Sequence, residues 1–284
     1  TSTILTRAVQ KGIKPLPEVR NVVAVASGKG GVGKSTSTAN IAVALEQEGA
    51  RVGVLDADIY GPSQTKMLGS QGKPETNDGK KMEPLISYNL QTISIGNLIE
   101  EDTPMIWRGP MVTGALEQLL NETNWKDLDY LLVDLPPGTG DIQLTLCQKI
   151  PVSGAIIVTT PQDIALLDAR KALKMFEKVN VPVLGIVENM SLHTCSECGH
   201  VEHIFGSGGG NTISKQYGVD LLGSLPLDGK IREGVDSGRP TTAIEPDSVV
   251  SQIYREIGLN IAAKLSLKEK DISSKFPKIV VQNT

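Results

Sequence analysis

Seven short runs of β-branched and other apolar residues, at positions 22–27, 51–56, 90–95, 130–134, 154–159, 183–188 and 221–225, punctuate the chain and read as strands. They are apolar nearly throughout rather than at alternate positions, so both faces must be covered, as in a parallel sheet between helical layers. Between them lie segments with helical spacing of apolar residues: 36–47, 111–123, 142–149, 164–179, 211–217 and 249–265. In the last of these Val249, Val250, Ile253, Ile257, Ile261 and Leu265 share one side, which predicts a helix packed on the sheet. The alternation predicts an α/β fold, a mainly parallel twisted sheet with helices on both faces. Residues 69–84 are polar and rich in Gly, Lys and Pro, and read as a surface loop. The expected organisation is an N-terminal extension at 1–20, one domain over 21–266 and a C-terminal tail at 267–284. Pro277 argues against a membrane-binding helix in that tail.

The first strand runs into Gly28-Lys29-Gly30-Gly31-Val32-Gly33-Lys34-Ser35-Thr36, and a helical segment follows. Strand, G-x-x-x-x-G-K-S and helix in that order form the phosphate-binding P-loop and its required setting. Glycines let successive N–H groups point inward at phosphate oxygens, and the helix N-terminus adds partial positive charge. Lys34 is expected against the β and γ phosphates, with the Ser35 hydroxyl on Mg2+. Lys29, directly after the first glycine, is an addition to the ordinary loop.

Three further constellations carry candidate chemistry. Asp56-Ala57-Asp58 ends the second strand, where carboxyl ends of a parallel sheet face a ligand crevice. Asp56 is a candidate for Mg2+ and Asp58 for orienting or deprotonating an attacking water. Leu131-Leu132-Val133-Asp134 is an apolar strand ending in an acid, and Asp134 is expected to hold Mg2+ through a water. The loop after it contains Gly138, whose N–H is a candidate γ-phosphate donor, so that 134–141 would sense ATP against ADP. Cys195 and Cys198 form a C-x-x-C pair within 193–203, a segment that also carries His193, His200 and His203. Two thiolates at that spacing suit zinc completed by histidine, a redox dithiol, or half of a four-thiolate iron–sulfur site completed by a second subunit. The histidines are expected to be surface or loop-stabilising residues, and Cys147, in an apolar helical segment, to be a core residue.

Length, charge and composition narrow the classes of function. At 284 residues the chain is long enough for one large α/β domain. A formal net charge of −4 and 4% aromatic residues offer no general reason to bind nucleic acid or an anionic membrane. Three cysteines are too few for a disulfide scaffold. Neither a signal-peptide core nor an Arg-rich transit pattern is visible, and the expected location is cytoplasmic. The chain begins at Thr1 rather than Met, which leaves open a preceding domain or targeting segment.

With those motifs placed, the sequence resembles the Mrp/ApbC family of P-loop ATPases, a branch of the MinD/ParA/nitrogenase-iron-protein group. The resemblance rests on SGKGGVGKST from Ser27, LDADIYGPS from Leu55, WRGPM from Trp107, DYLLVDLPPGTGDIQL from Asp129, TTPQDIALLDARK from Thr159 and GIVENMSLHTCSECGH from Gly185. It implies a single P-loop NTPase domain that hydrolyses ATP slowly with Mg2+. It further implies a homodimer in which Lys29 reaches the partner's phosphates, as an arginine finger does. Cys195 and Cys198 of each subunit would then bridge a 4Fe–4S cluster passed to apo iron–sulfur proteins, with assembly factors as further partners. Asn189 matches an adenine-contact position, and Pro226 is a weaker match. The rival expectations are a positioning ATPase of the ParA/MinD kind, which does not need the cysteines, and a zinc-stabilised nucleotide-dependent scaffold.

Overall fold

A computed structural model describes residues 4–76, 79–97 and 109–270. Trp107 and Arg108 of the WRGPM stretch, the first three residues and 271–284, with Pro277, lie outside them. The strands are β1 (Val19–Ala26), β2 (Val52–Asp56), β3 (Leu85–Ser87), β4 (Leu90–Ser94), β5 (Leu128–Asp134), β6 (Gly154–Thr159), β7 (Val183–Glu188), β8 (His193–Thr194), β9 (Val201–Glu202) and β10 (Leu221–Ser224). The helices are α1 (Lys34–Gln47), α2 (Gln64–Met67), α3 (Gly109–Glu122), α4 (Asp141–Lys149), α5 (Asp163–Lys178), α6 (Gly209–Tyr217), α7 (Gly229–Asp236), α8 (Thr241–Ile244) and α9 (Val249–Ser266).

Eight strands form one sheet in the order β10-β7-β6-β1-β5-β2-β4-β3, and β8 pairs only with β9. Every pairing in the large sheet is parallel except the edge pair β3–β4. The apolar continuity of the runs has its expected cause. In β1, Val22, Ala24 and Ala26 join one core with residues of α3, α4 and α5, while Val23 and Val25 join a second core with α1 and α9. A fully buried Val, Leu or Ile contributes roughly 1.5–3 kcal/mol, so two cores on one sheet hold its central strands firmly. Ile257, Ile261 and Leu265 of α9 are buried as their spacing predicted, whereas Val249 at its first turn is exposed. Cys147 in α4 is fully buried, and that burial pushes its thiol up to about 12. No helix among the described residues is long and apolar enough to cross a membrane.

β1, β2, β5, β6 and β7 all end on the same side of the sheet, because they are mutually parallel. The chain leaves β1 for β2 on one side and reaches β6 and β7 on the other, which opens a crevice beyond the carboxyl ends of the central strands. The phosphate-loop, acid and cysteine motifs of the sequence all lie at that end, in the strand ends, the loops beyond them and the first turn of α1.

Candidate functional site

The loop 28–33 joins β1 to α1 with Gly31 and Gly33 at φ +78° and +81°, backbone that side chains disfavour. Gly33 has a second reason for its identity: a Cβ there would lie 2.1 Å from the Asn189 amide nitrogen. That amide donates to the Val32 carbonyl at 2.9 Å, so Asn189 braces the loop from below. Gly28 is equally tight, with a would-be Cβ 2.2 Å from the Asp168 carbonyl carbon in α5. α1 has neither an acidic residue in its first turn nor a side-chain cap, which leaves its N-terminal N–H groups and dipole free for an anion. Lys29 is half-buried, and its ammonium makes no hydrogen bond or ion pair among the described residues.

Below the loop sits a buried polar cluster. Lys34 Nζ lies 2.5 Å from Asp134 Oδ1, with both residues buried. Thr38 Oγ1 donates to the same oxygen at 3.3 Å, and the Gln64 amide donates to Asp134 Oδ2 at 2.9 Å and to the Ser35 carbonyl at 2.9 Å. Lys34 Nζ also donates to Ser35 Oγ at 3.3 Å. Lysine, serine and strand-end acid thus meet as the motif predicts, and Gln64 ties two of them together. Gln64 was not legible beforehand, because its role depends on a residue 70 positions away.

Asp56 and Asp134 are register partners on adjacent strands. Burial first, and the Asp134 charge second, push Asp56 up to about 7. Its carboxylate accepts from the N–H groups of Asp58 (3.1 Å), Ser63 (2.9 Å) and Gln64 (2.9 Å) and from Ser94 Oγ (3.0 Å). When ionised, the group accepts from all four donors. The structure therefore gives Asp56 the work of folding the 58–64 turn, in place of the open Mg2+ position expected of it. Asp58 is the opposite case. It is buried, its Oδ1 has no partner, and burial raises its carboxyl above the ordinary range against the pull of Lys34. Ser63 Oγ and Gln64 Oε1 are likewise buried without partners. Three orphaned polar atoms around one turn fit a site completed by a polar ligand.

Gly138 departs from expectation. Its N–H donates to the Ser27 carbonyl at 2.9 Å, so it is committed to tying the 134–141 loop to the end of β1 and is not offered to a phosphate. Its φ of +102° explains the glycine. The neighbouring Pro137 carbonyl accepts from the Gln143 amide at 2.6 Å, which holds the loop from α4.

A cavity of about 360 Å³ extends from Gly31, Gly33 and Thr36 to Asn189, Met190, Pro226 and Leu227, with Met67 and Ile231 on its walls. Its lining is mainly apolar, its mouth touches the phosphate loop, and its size suits a nucleoside. The structure thereby brings Asn189 and Pro226 to one cavity, although the Asn189 amide is engaged with the loop.

Cys195 and Cys198 sit at the tip of the β8–β9 hairpin, closed by Cys195 N–H to the His200 carbonyl and Gly199 N–H to the Cys195 carbonyl, each 2.9 Å. Cys198 is exposed and Cys195 half-buried. The backbone N–H groups of Cys198 and Glu197 hold the Cys195 thiol below its ordinary range, which favours the metal-binding thiolate. Two of the histidines have one ring nitrogen engaged with backbone: His193 Nδ1 lies 3.0 Å from the Leu227 carbonyl and His203 Nδ1 2.8 Å from the Ser191 carbonyl, while His200 Nε2 lies 3.6 Å from Glu202. Among the described residues no group of three or more His, Cys, Asp or Glu is placed to hold a metal ion.

With this geometry in place, comparison with known proteins gives a consistent result. The family model described as "ParA: NUBPL iron-transfer P-loop NTPase" matches residues 18–262. The chain belongs to this family. A protein of Pseudomonas fragi named iron-sulfur cluster carrier protein is 58% identical over 258 residues, 90% of each chain. The iron-sulfur cluster transfer protein NUBPL of Mus musculus is 48% identical over 264 residues, 92% of this chain and 82% of its own. Among solved structures, a nucleotide-binding protein in complex with ADP from Archaeoglobus fulgidus is 37% identical, with a TM-score of 0.71 over 81% of this chain and 90% of that one. The family match begins just before β1 and ends within α9, so in this NUBPL-family NTPase the phosphate loop, the acid cluster and the cysteine hairpin all lie inside the matched region.

Proposed function

We propose that this protein is an ATP-binding, slowly hydrolysing iron–sulfur cluster carrier that holds a 4Fe–4S cluster between two copies of the chain and passes it to apo-proteins. The observation that carries the reading is a hairpin offering two thiolates, with no third protein ligand among the described residues, hung beside a cavity of nucleoside size. A four-thiolate cargo needs two such hairpins. The names of the relatives from Pseudomonas fragi and Mus musculus support the same cargo. A second copy has a surface to meet: Ile164 and Leu167 are exposed apolar residues on α5, the helix that touches the phosphate loop at Gly28.

In hydrolysis Lys34 leaves Asp134 to neutralise the β and γ phosphates, with the loop N–H groups and the α1 N-terminus holding their oxygens. Asp58, buried with a free oxygen, orients the attacking water and receives its proton. Ser35 and Asp134 would hold Mg2+, which when bound would supply charge neutralisation, while Asp56 shapes the turn. Lys29 of one copy stabilises charge on the other copy's phosphates. The adenine lies in the cavity between Asn189 and Pro226.

The test is anaerobic reconstitution. Wild-type protein should gain about four iron and four sulfide per two chains. Cys198→Ala should gain neither; unchanged iron and sulfide in that variant would remove the cluster assignment. Leu167→Asp should turn a dimer into a monomer in sedimentation, and an unaltered dimer would move the interface elsewhere.

A further inference from the structure

The hairpin and the base cavity share a wall. Leu227 lines the cavity, and both of its backbone groups are bonded to the base of the hairpin: its N–H donates to the Leu192 carbonyl at 2.7 Å, and its carbonyl faces His193 Nδ1 at 3.0 Å. A ring nitrogen facing a carbonyl must carry the proton, so His193 is a donor here. The seam continues on either side. Ser191 donates through both N–H (2.9 Å) and Oγ (3.0 Å) to the Leu225 carbonyl, and Leu225 N–H donates to the Glu188 carbonyl at 2.8 Å. His203, on the returning arm, closes back onto the Ser191 carbonyl at 2.8 Å. By contrast, among the described residues no hydrogen bond joins the 134–141 loop to the hairpin; its bonds run to Val25, Ser27 and Gln143 and, through Asp134, to Lys34, Thr38, Ala57 and Gln64.

We propose that His193 is a positioning residue, through which a base filling the cavity beside Leu227 sets the pose of Cys195 and Cys198. His193 stands two residues before the first cysteine, and among the described residues its ring is the one side chain of the hairpin bonded to a cavity-lining residue. Pressing a base against Leu227 moves or fixes that carbonyl, and His193 passes the constraint to the strand that carries the thiols. His203 fixes the other arm, so the tip moves as a unit. The route needs no metal ligation by either histidine, and it adds a base-side link to the phosphate-side switching expected of P-loop proteins. The inference rests on the carrier reading for its purpose, but not for its test.

The experiment uses the full chain without cluster and follows alkylation of Cys195 and Cys198 by iodoacetamide, with and without saturating ADP and Mg2+. Cys147 is buried and stays silent. In the wild type, ADP should slow alkylation about threefold or more, the signature of coupled sites. His193→Ala should bring the ratio of rates with and without ADP close to one. His193→Asn, whose amide N–H reaches the same carbonyl, should restore it. A histidine that merely stiffens the hairpin would raise both rates and keep the ratio. That outcome overturns the proposal, as does a wild-type rate indifferent to bound ADP. If His193→Ala loses ADP binding, hydrogen exchange of the wild type decides. Protection by ADP that spreads from 225–228 into 191–203 supports the link, and protection that stops at 228 overturns it. Iron and sulfide retention in the wild type separately tests the carrier reading, which can fail while the thiol coupling stands.

Discussion

The phosphate loop and the cysteine hairpin lie on loops at the same end of one sheet, yet they are built on opposite terms. The phosphate loop is braced from three directions: by Asn189 beneath, by α5 against Gly28 and by the Lys34–Asp134–Gln64 cluster under its helix. The hairpin touches the rest of the molecule through its base, by a few hydrogen bonds to residues 225–227, and its tip with Cys198 is exposed. On the carrier reading proposed above, the difference follows from what each must do. A site that stabilises charge in a transition state needs groups fixed before the reaction. A site that releases its cargo needs ligands that can part from it.

The comparison breaks most sharply at Lys34. Lys34→Ala should lower phosphate release roughly 10²–10³-fold. It should also cost about 3 kcal/mol in urea unfolding, because Asp134 is left buried without its counter-charge. Near-wild-type hydrolysis would show that the lysine does not act on phosphate. Gly33→Ala should follow, at roughly 2–3 kcal/mol, from left-handed backbone strain together with the collision with Asn189. A smaller loss would mean that the loop is less constrained than its contacts indicate.

Proton linkage gives a finer test of the buried region. The Asp56 carboxyl, pushed up to about 7 from an ordinary 3.8, holds a proton in the fold that it loses in the unfolded chain across that interval. Stability of the nucleotide-free protein should therefore fall as pH rises from about 4 to 7, and denaturant midpoints that climb over this range would contradict it. Asp129 has the opposite sign. Burial pushes it up, but Arg51 outweighs burial and holds it below the ordinary range, so its contribution is lost in acid below that range. The smallest effect belongs to the hairpin. Cys198→Ala should change stability by less than about 0.5 kcal/mol and leave hydrolysis within about twofold, whatever it does to cargo. A large loss of either would show that the hairpin is structurally tied to the core.

What the sequence made legible divides along the same line. The seven apolar runs became β1, β2, β4, β5, β6, β7 and β10, because burial on both faces leaves a continuous hydrophobic record. The edge strand β3 left none, since Ile86 points to solvent and only three residues pair. α7 and α8 are short and mixed in polarity, and the two-residue strands β8 and β9 are too brief for any period to show. Among site residues, motif spacing brought Lys34, Ser35, Asp58 and Asp134 to one place. It did not reveal that Asp56 is consumed by its own turn, that the Gly138 N–H is spent on Ser27, or that Gln64 bridges Ser35 and Asp134. Those depend on which atom faces which, a relation between strands and loops distant in sequence. The histidines were expected to be surface or loop-stabilising residues; in the structure His193 and His203 each meet a carbonyl that spacing could not identify, and His200 is exposed beside Glu202.

The closure of the fold behind the hairpin has a consequence for how such a protein is altered. Glu188 at the end of β7 accepts from Gly210 N–H at the start of α6, and Ser191 is sewn to Leu225, so the two ends of the 192–208 segment are pinned to the frame independently of what lies between. The segment is an insert with a fixed socket. A designer can exchange the tip for another ligand set, or graft it between the matching strand and helix of a nucleotide switch that lacks one, without asking the sheet to fold anew.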